Sequence, residues 1–471
     1  MKLIKIFNGI KSPSNKNHAA PNGLHHYLRE TPEERSRIHL RLDPDGHGTL
    51  IVNANQVVHL NPTAALMAYS ALEEIPNAEV IRALVRKYHV PKNQAQHDYK
   101  QFLQDLDEIL RPDGCAVCTL NDLEIAAPFS ARPTAPYRMD LALTYRCNDD
   151  CAHCYNARPR DYPEMNTQAW KQVIDRVWDL GIPHIVFTGG EPTLRNDLPE
   201  LVAHAEANGQ ITGLNTNARR LQDPHFVDAL VESGLDHIQI TVESHDHKIH
   251  DSMVGKRGAW KQTIAGLRNV LATRLYVMTN TTMLQENAPT IPATLDFLAK
   301  LGVPTVGLNA LIYAGHGLTV GTGLRESELP ALLEMAQSKT EQYGQKLIWY
   351  TPTQYCHFDP TQFNLGVKGC TAALYNMCIE PDGGVLPCQS YYQQLGNILH
   401  DSWDSIWNHE LSINLRERAY VPESCQSCSL LSECGAGCPL ALDANNPVLI
   451  PIDSIPILSV PLTQGKENPY G

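Results

Sequence analysis

The 471-residue chain has no run of the about eighteen apolar residues that a membrane span requires. Its start, MKLIKIFNGIKSPSNKNH, also lacks the apolar block of a secretory signal, because lysines interrupt the short apolar run. Both absences point to a cytoplasmic protein with no membrane partner. Basic charge is in deficit: 38 Lys and Arg against 51 Asp and Glu give a formal net charge of −13. That argues against nucleic acid as a partner, since sequence-independent binding rests on neutralising phosphates. Charged residues are few, at 19%, while apolar residues reach 43%, ample for a large packed core. The length fits about two to four domains, and no internal repeat is found.

Cysteine is not scarce. A reducing compartment does not keep structural disulfides, so thirteen cysteines there point to metal binding or chemistry. What is missing is a fourth partner for the densest group. The stretch TYRCNDDCAHCYN holds Cys147, Cys151 and Cys154 at C-x3-C-x2-C spacing, in a polar loop that offers little apolar burial. Three thiolates do not close a tetrahedral metal site, and an odd number cannot all pair as disulfides. A zinc site completed from elsewhere is one reading. The other is a [4Fe–4S] cubane with one iron kept for a small molecule.

Along the chain, residues 1–34 read as a flexible lead-in. Residues 35–112 hold three β-prone runs, RIHLRLD, GTLIVNA and QVVHLN, and then three helices. The first helix starts at Pro62 behind an Asn61 cap. The third carries Tyr99, Phe102, Leu103, Leu106, Ile109 and Leu110 on one face, completing a winged-helix-sized module. After a linker at 113–135, residues 136–318 alternate strand-like and helix-like segments. The strands are DLALTY, HIVFTGG, ITGLNTN, HIQITVE, LYVMTNTTM and TVGLNALI. This is an α/β pattern of six parallel strands, as in a partial (β/α)6 barrel. A helical connector (319–366), a cysteine-rich region (367–442) and an extended proline-containing tail (443–471) follow.

The cysteine loop, with the aromatic Tyr155 behind it, resembles the cluster loop of the radical S-adenosylmethionine (SAM) enzymes. The resemblance implies that Cys147, Cys151 and Cys154 hold a catalytic [4Fe–4S] cluster whose open iron is chelated by SAM. An electron from the cluster then releases a 5′-deoxyadenosyl radical. FTGGEPTLR, after the second strand, matches the family's GGE segment at Gly189, Gly190 and Glu191. Glycines let backbone approach the ligand, and Glu191 can accept a hydrogen bond from a cationic amine. Asn215 and Asn217 in LNTNA are candidates for ribose or methionine contacts. ITVES stands where the family has Ser-x-Asp-Gly, so Thr241, Glu243 and Ser244 are candidates for those roles. Val254 occupies a position where arginine is frequent, leaving Arg257 as the substitute for neutralising the SAM carboxylate. The resemblance covers residues 136–318.

The C-x2-C that begins at Cys425 would on its own read first as a zinc ribbon. In this company, CIEPDGGVLPC, LGNILHDSWDSIW and CQSCSLLSECGAGCPL resemble the SPASM extension, which carries auxiliary [4Fe–4S] clusters. The resemblance assigns Cys370, Cys378, Cys388 and Cys438 to a first auxiliary cluster. It assigns Cys425, Cys428 and Cys434 to a second. No cysteine follows Cys438, so the usual last ligand is absent. The second cluster is then open, or closed by Asp443, or closed by a distant thiol. Cys115, Cys118 and Cys356 stay unassigned. Auxiliary clusters can accept the electron of a substrate radical as a bond forms.

Residues 36–112 resemble PqqD, the recognition element for ribosomally made, post-translationally modified peptides. In that family a precursor's leader is bound as an added strand. The receiving surface here would be QVVHLN and the third helix around Tyr99, Phe102 and Leu106, unless those side chains are simply core. The three regions together imply a peptide maturase whose precursor is tethered by its leader. The product would carry a thioether, carbon–carbon or ether cross-link, or a rearranged or excised backbone. An external electron donor such as flavodoxin or ferredoxin is implied. Two alternatives are a sulfatase-maturase-like or small-molecule radical SAM enzyme, and a zinc-containing winged-helix regulator. The acidic third helix, NQAQHDYKQFLQDLDEIL, speaks against the last.

Overall fold

The computed structural model of the protein describes residues 21–30, 35–53, 56–110 and 132–445. Cys115 and Cys118 lie outside them, as does the tail beyond residue 445. Among the described residues, four antiparallel strands come first: β1 (Gly23–Glu30), β2 (Arg35–Leu42), β3 (Gly48–Val52) and β4 (Gln56–Leu60), paired in that order. β1 falls within the segment expected to be a flexible lead-in. Its histidines hide a strand that pairs along its whole length with β2 and buries Tyr27 and Leu28. Helices α1 (Pro62–Leu72), α2 (Asn77–Tyr88) and α3 (Lys92–Ile109) cover one face of this sheet. α1 starts where its cap dictates, because the Asn61 side chain accepts from the Thr63 and Ala64 amides, and the intervening Pro62 has no N–H left to satisfy. Tyr99, Phe102 and Leu106 of α3 are buried in this unit's own core. β4 is an edge strand with Val57 exposed.

Alternation along β2 sends Ile38, Leu40 and Leu42 into that core and Arg37, His39 and Arg41 to the other side. All three polar residues are nonetheless buried, because this face docks on the second unit. Arg37 pairs with Glu206 and, at 3.0 Å, with Asp236. His39 Nε2 lies 2.8 Å from the Gly209 carbonyl, and Arg41 donates to the Ala135 carbonyl at 2.9 Å.

Among the described residues, the second unit is built on ten strands. The six expected ones are β5 (Arg138–Thr144), β6 (His184–Gly189), β7 (Ile211–Thr216), β8 (His237–Thr241), β9 (Tyr276–Thr282) and β10 (Thr305–Asn309). They lie side by side, parallel and in chain order, with helices such as α4 (Thr167–Asp179) and α5 (Leu198–Asn208) between them. α4 buries Trp170, Val173, Ile174 and Val177, one stripe at helical spacing.

The sheet continues past both edges of the expected six. β11 (Lys346–Trp349) pairs parallel with β10. It sits in the connector expected to be helical, where a helix at Leu329–Gln342 does precede it. Four residues are too few for periodicity to reveal, yet Trp349 is fully buried. On the other side β12 (Asn376–Ile379) pairs parallel with β5, and β13 (Gly384–Leu386) and β14 (Gly396–Asn397) follow antiparallel. Cys378 thereby stands opposite Asp140 of β5, which joins the cysteine-rich region to the barrel. Among the described residues, no helix is long and apolar enough to cross a membrane.

Candidate active site

β5 ends at Thr144 and releases the cysteine loop at the carboxyl end of the sheet, where α/β folds bind ligands. A cavity of about 990 Å³ opens there. Cys147, Cys151, Cys154, Tyr155, Gly189, Gly190, Glu191, Asn215, Asn217, Thr241 and Glu243 all line it. Of the residues expected at the SAM site, Ser244 is not brought there. Its hydroxyl bonds to Thr290 Oγ1 at 3.0 Å and accepts from the Asp246 amide at 3.1 Å, shaping a turn. Arg257 is exposed and outside the lining, and Val254 is buried in the wall.

The loop is pinned from several directions. Arg219 Nη1 donates to Asp149 Oδ1 at 2.6 Å and also to the Asn148 carbonyl. Arg160 donates to the Asp149 carbonyl at 2.7 Å. His153, between the second and third cysteines, meets the Glu243 carboxylate at 3.0 Å. Burial pulls the His153 pKa down, but the charge and hydrogen bond of Glu243, with the charge of Glu286, together outweigh it and leave the imidazole raised. Gly190 donates its amide to the Thr144 carbonyl at 2.7 Å. A Cβ on Gly190 would stand 2.4 Å from the Arg146 carbonyl oxygen, so the paired glycines let β6 exit directly against the cysteine loop.

Glu191 is buried and engaged by the protein itself. Its Oε1 accepts from the Thr193 amide at 3.1 Å, Thr193 Oγ1 at 2.6 Å and Thr216 Oγ1 at 2.7 Å, and its Oε2 from the Asn217 amide at 2.8 Å. It clamps the ends of β6 and β7 together, whatever it offers a ligand.

A second cavity of about 1140 Å³ lies beside the first. Tyr155, Asn215, Gln239, Asn280 and Asn309 line both. Its far side carries Cys370, Cys388 and Cys438. Burial and then the charges of Cys438 and Cys388 raise Cys370; burial raises Cys378, with Cys388 adding to it. Cys378 stands opposite Leu386, two residues before Cys388, which sets it beside the three that line the cavity.

Three families match the chain in succession. Residues 39–109 match coenzyme PQQ synthesis protein D (PqqD), 141–309 the radical SAM superfamily, and 370–429 the SPASM iron–sulfur cluster-binding domain. PqqA peptide cyclase of Xanthomonas campestris pv. campestris is 30% identical over 331 residues, covering 67% of this chain and 86% of that protein. The chain belongs to the radical SAM–SPASM family that includes PqqA peptide cyclase. The same enzyme of Xanthomonas axonopodis pv. citri is also 30% identical, over 87% of its length. Among solved structures, Streptococcus suis SuiB bound to its precursor peptide SuiA is similar in fold, with a TM-score of 0.64 at 18% identity. The match covers 86% of this chain and 95% of SuiB. The structure of anSMEcpe with bound AdoMet and a peptide gives a TM-score of 0.53 at 17% identity, over 66% of this chain and 90% of that one.

This radical SAM enzyme uses SAM and [4Fe–4S] clusters, and its residues fit them. Burial and then the charge of Glu191 push Cys147 up to about 12; burial raises Cys151 and Cys154 as well. Thiols so placed become ligands only beside a strong cationic group, which iron supplies.

Several residues of the radical SAM site escaped sequence reasoning. Gln239, Asn280 and Asn309 repeat a polar position on the lumen side of three neighbouring strands, a period-two signal hidden by the apolar residues facing the helices. Arg158 pairs with Glu380 and lies 4.5 Å over the Tyr392 ring. Tyr145 donates to the same Glu380 at 2.9 Å. Nothing local marks these pairs, whose members lie more than 200 positions apart.

Proposed function

We propose that this enzyme modifies a ribosomally made precursor peptide, held through its leader at the N-terminal unit while its core segment enters the space between the SAM site and the first auxiliary cysteines. The observation that carries this reading is the wall shared by the two cavities: Tyr155, Asn215, Gln239, Asn280 and Asn309 face both. A peptide there stands between the source of a radical and an acceptor of its electron. When bound, SAM and the clusters supply a deoxyadenosyl radical that removes a hydrogen atom from the peptide, and a sink for the electron left behind. The chain's own residues position the reactants. Amide side chains of the shared wall hold main-chain groups of an extended peptide, and Tyr155, fixed by its 3.1 Å bond to Gln389 Oε1, separates the two spaces.

The edge of β4, with exposed Val57, suits main-chain addition of a leader strand. The buried Tyr99, Phe102 and Leu106 support that sheet from behind. Tethering raises the effective concentration of the core segment at the barrel mouth. The precursor relationship is favoured by the PqqD-like unit and by the family of PqqA peptide cyclase. A small electron-transfer protein such as flavodoxin or ferredoxin reduces the clusters. The test compares full-length precursor with precursor lacking its leader. Turnover should collapse without the leader, while substrate-free SAM cleavage persists. Equal turnover of both would favour a maturase that needs no leader.

A further inference from the structure

The trio Cys425, Cys428 and Cys434 is one thiol short of a closed [4Fe–4S] site, and no cysteine follows Cys438. A segment from far upstream is laid against it. The Tyr355 amide lies 3.3 Å from Cys434 Sγ, and that sulfur is 3.6 Å from the Thr353 carbonyl. Gly437, at a φ of +81°, packs so tightly on this segment that a Cβ would stand 3.1 Å from the Thr353 carbonyl carbon. Residues 354–357 form a turn closed by bonds to the Gln354 carbonyl from the His357 amide at 2.8 Å and the Phe358 amide at 2.9 Å. The Glu326 carboxylate braces the turn, accepting from the Gln354 amide at 3.1 Å and meeting His357 Nδ1 at 3.1 Å.

The residue the turn presents is Cys356. Burial raises its thiol, and the charges of Cys425, Glu326 and Cys428 push it the same way. Cys356 directly follows Tyr355, whose amide lies on Cys434 Sγ, so the turn carries the fourth cysteine to the edge of the trio. Asp443 adds its charge to the rise of Cys438, at the first auxiliary group.

We propose that Cys356 is the fourth thiolate ligand of the second auxiliary cluster. The proposal rests on reading Cys425, Cys428 and Cys434 as ligands of such a cluster. Cys356 binds as thiolate, releasing its proton, and leaves no iron of that cluster open to a substrate. The cluster is then an electron relay. Cys356 and Cys428 are both exposed, which sets that relay near the surface, within reach of a donor protein.

The experiment is alkylation of the full-length, anaerobically reconstituted protein with iodoacetamide, read by peptide mass spectrometry before and after iron removal. All four thiols should be protected in the loaded protein and labelled in the stripped one. Labelling of Cys356 alone in the loaded protein overturns the proposal while leaving the second cluster in place. Labelling of all four removes the second cluster and the proposal with it. A second arm uses Cys356→Ala, a surface substitution. It should lose about a third of the iron, one cubane of three, or retain it with a reduced EPR spectrum that cyanide now shifts. Unchanged iron and a cyanide-insensitive spectrum overturn the proposal.

Discussion

Arg37→Ala tests how the N-terminal unit is fixed to the barrel. The guanidinium side chain is 4% exposed and bridges Glu206 and Asp236, themselves 26% and 20% exposed. Removing one partner of a buried ion pair costs about 3–5 kcal/mol, because the other charge is left without compensation. Here the two carboxylates keep partial access to water, which recovers some of that cost, and Asp236 keeps the Thr212 amide at 2.9 Å. The loss at the docking face is therefore about 2–3 kcal/mol, or about 30- to 150-fold in the docking equilibrium. Hydrogen exchange of the full-length loaded protein is the assay. Amides of β2 and of the segment before β8 should exchange faster by that factor, while those of β6 and β7 hold. Adding Asp236→Asn should cost less than its effect alone, since the pair is coupled. Unaltered exchange in β2 after Arg37→Ala would refute the view that this bridge holds the units together.

Gly190→Ala forces a methyl group against the Arg146 and Tyr145 carbonyls, at 2.4 and 2.7 Å. Overpacking of this kind costs about 1–3 kcal/mol. SAM binding should weaken by tenfold or more in an isotherm, with iron at the auxiliary clusters retained; normal SAM affinity would show that the loop yields. Acid should weaken the fold through His237, which burial, helped by the charge of Arg138, holds down to about 4. The folded protein keeps this ring neutral, so stability is full above the unfolded value of about 6.5 and declines as pH falls toward 4. The loss by pH 5 is about 2 kcal/mol, measurable as a steeper pH dependence of urea unfolding than that of His237→Asn. Identical slopes would exclude His237 as the source.

The barrel was legible because each of its strands is a compact β-prone run, and because Gly189-Gly190-Glu191 and Asn215 follow the cysteine loop one strand apart. Those signals are local, and the structure gathers them round one cavity. Long-range pairing was not legible. Strand β1 was hidden by its histidines, which the docking interface uses: His26 stacks on His39 with ring centroids 4.8 Å apart. β11 was too short to register. Ser244 looked like a ligand contact by position alone, whereas its hydroxyl closes a turn. Cys356 carries no local motif at all. Only the turn held by Glu326 reveals its company, 28 positions upstream of Gln354.

The claim on which the rest depends is that the Cys147–Cys151–Cys154 cubane binds SAM through an iron that no protein thiolate holds. Electron–nuclear double resonance on the reduced protein with 15N- and 17O-labelled SAM tests it most directly. Hyperfine couplings from both the labelled amine and the labelled carboxylate should be present in the parent protein and absent in Cys147→Ala. A parent spectrum with neither coupling, at saturating SAM, would contradict the assignment.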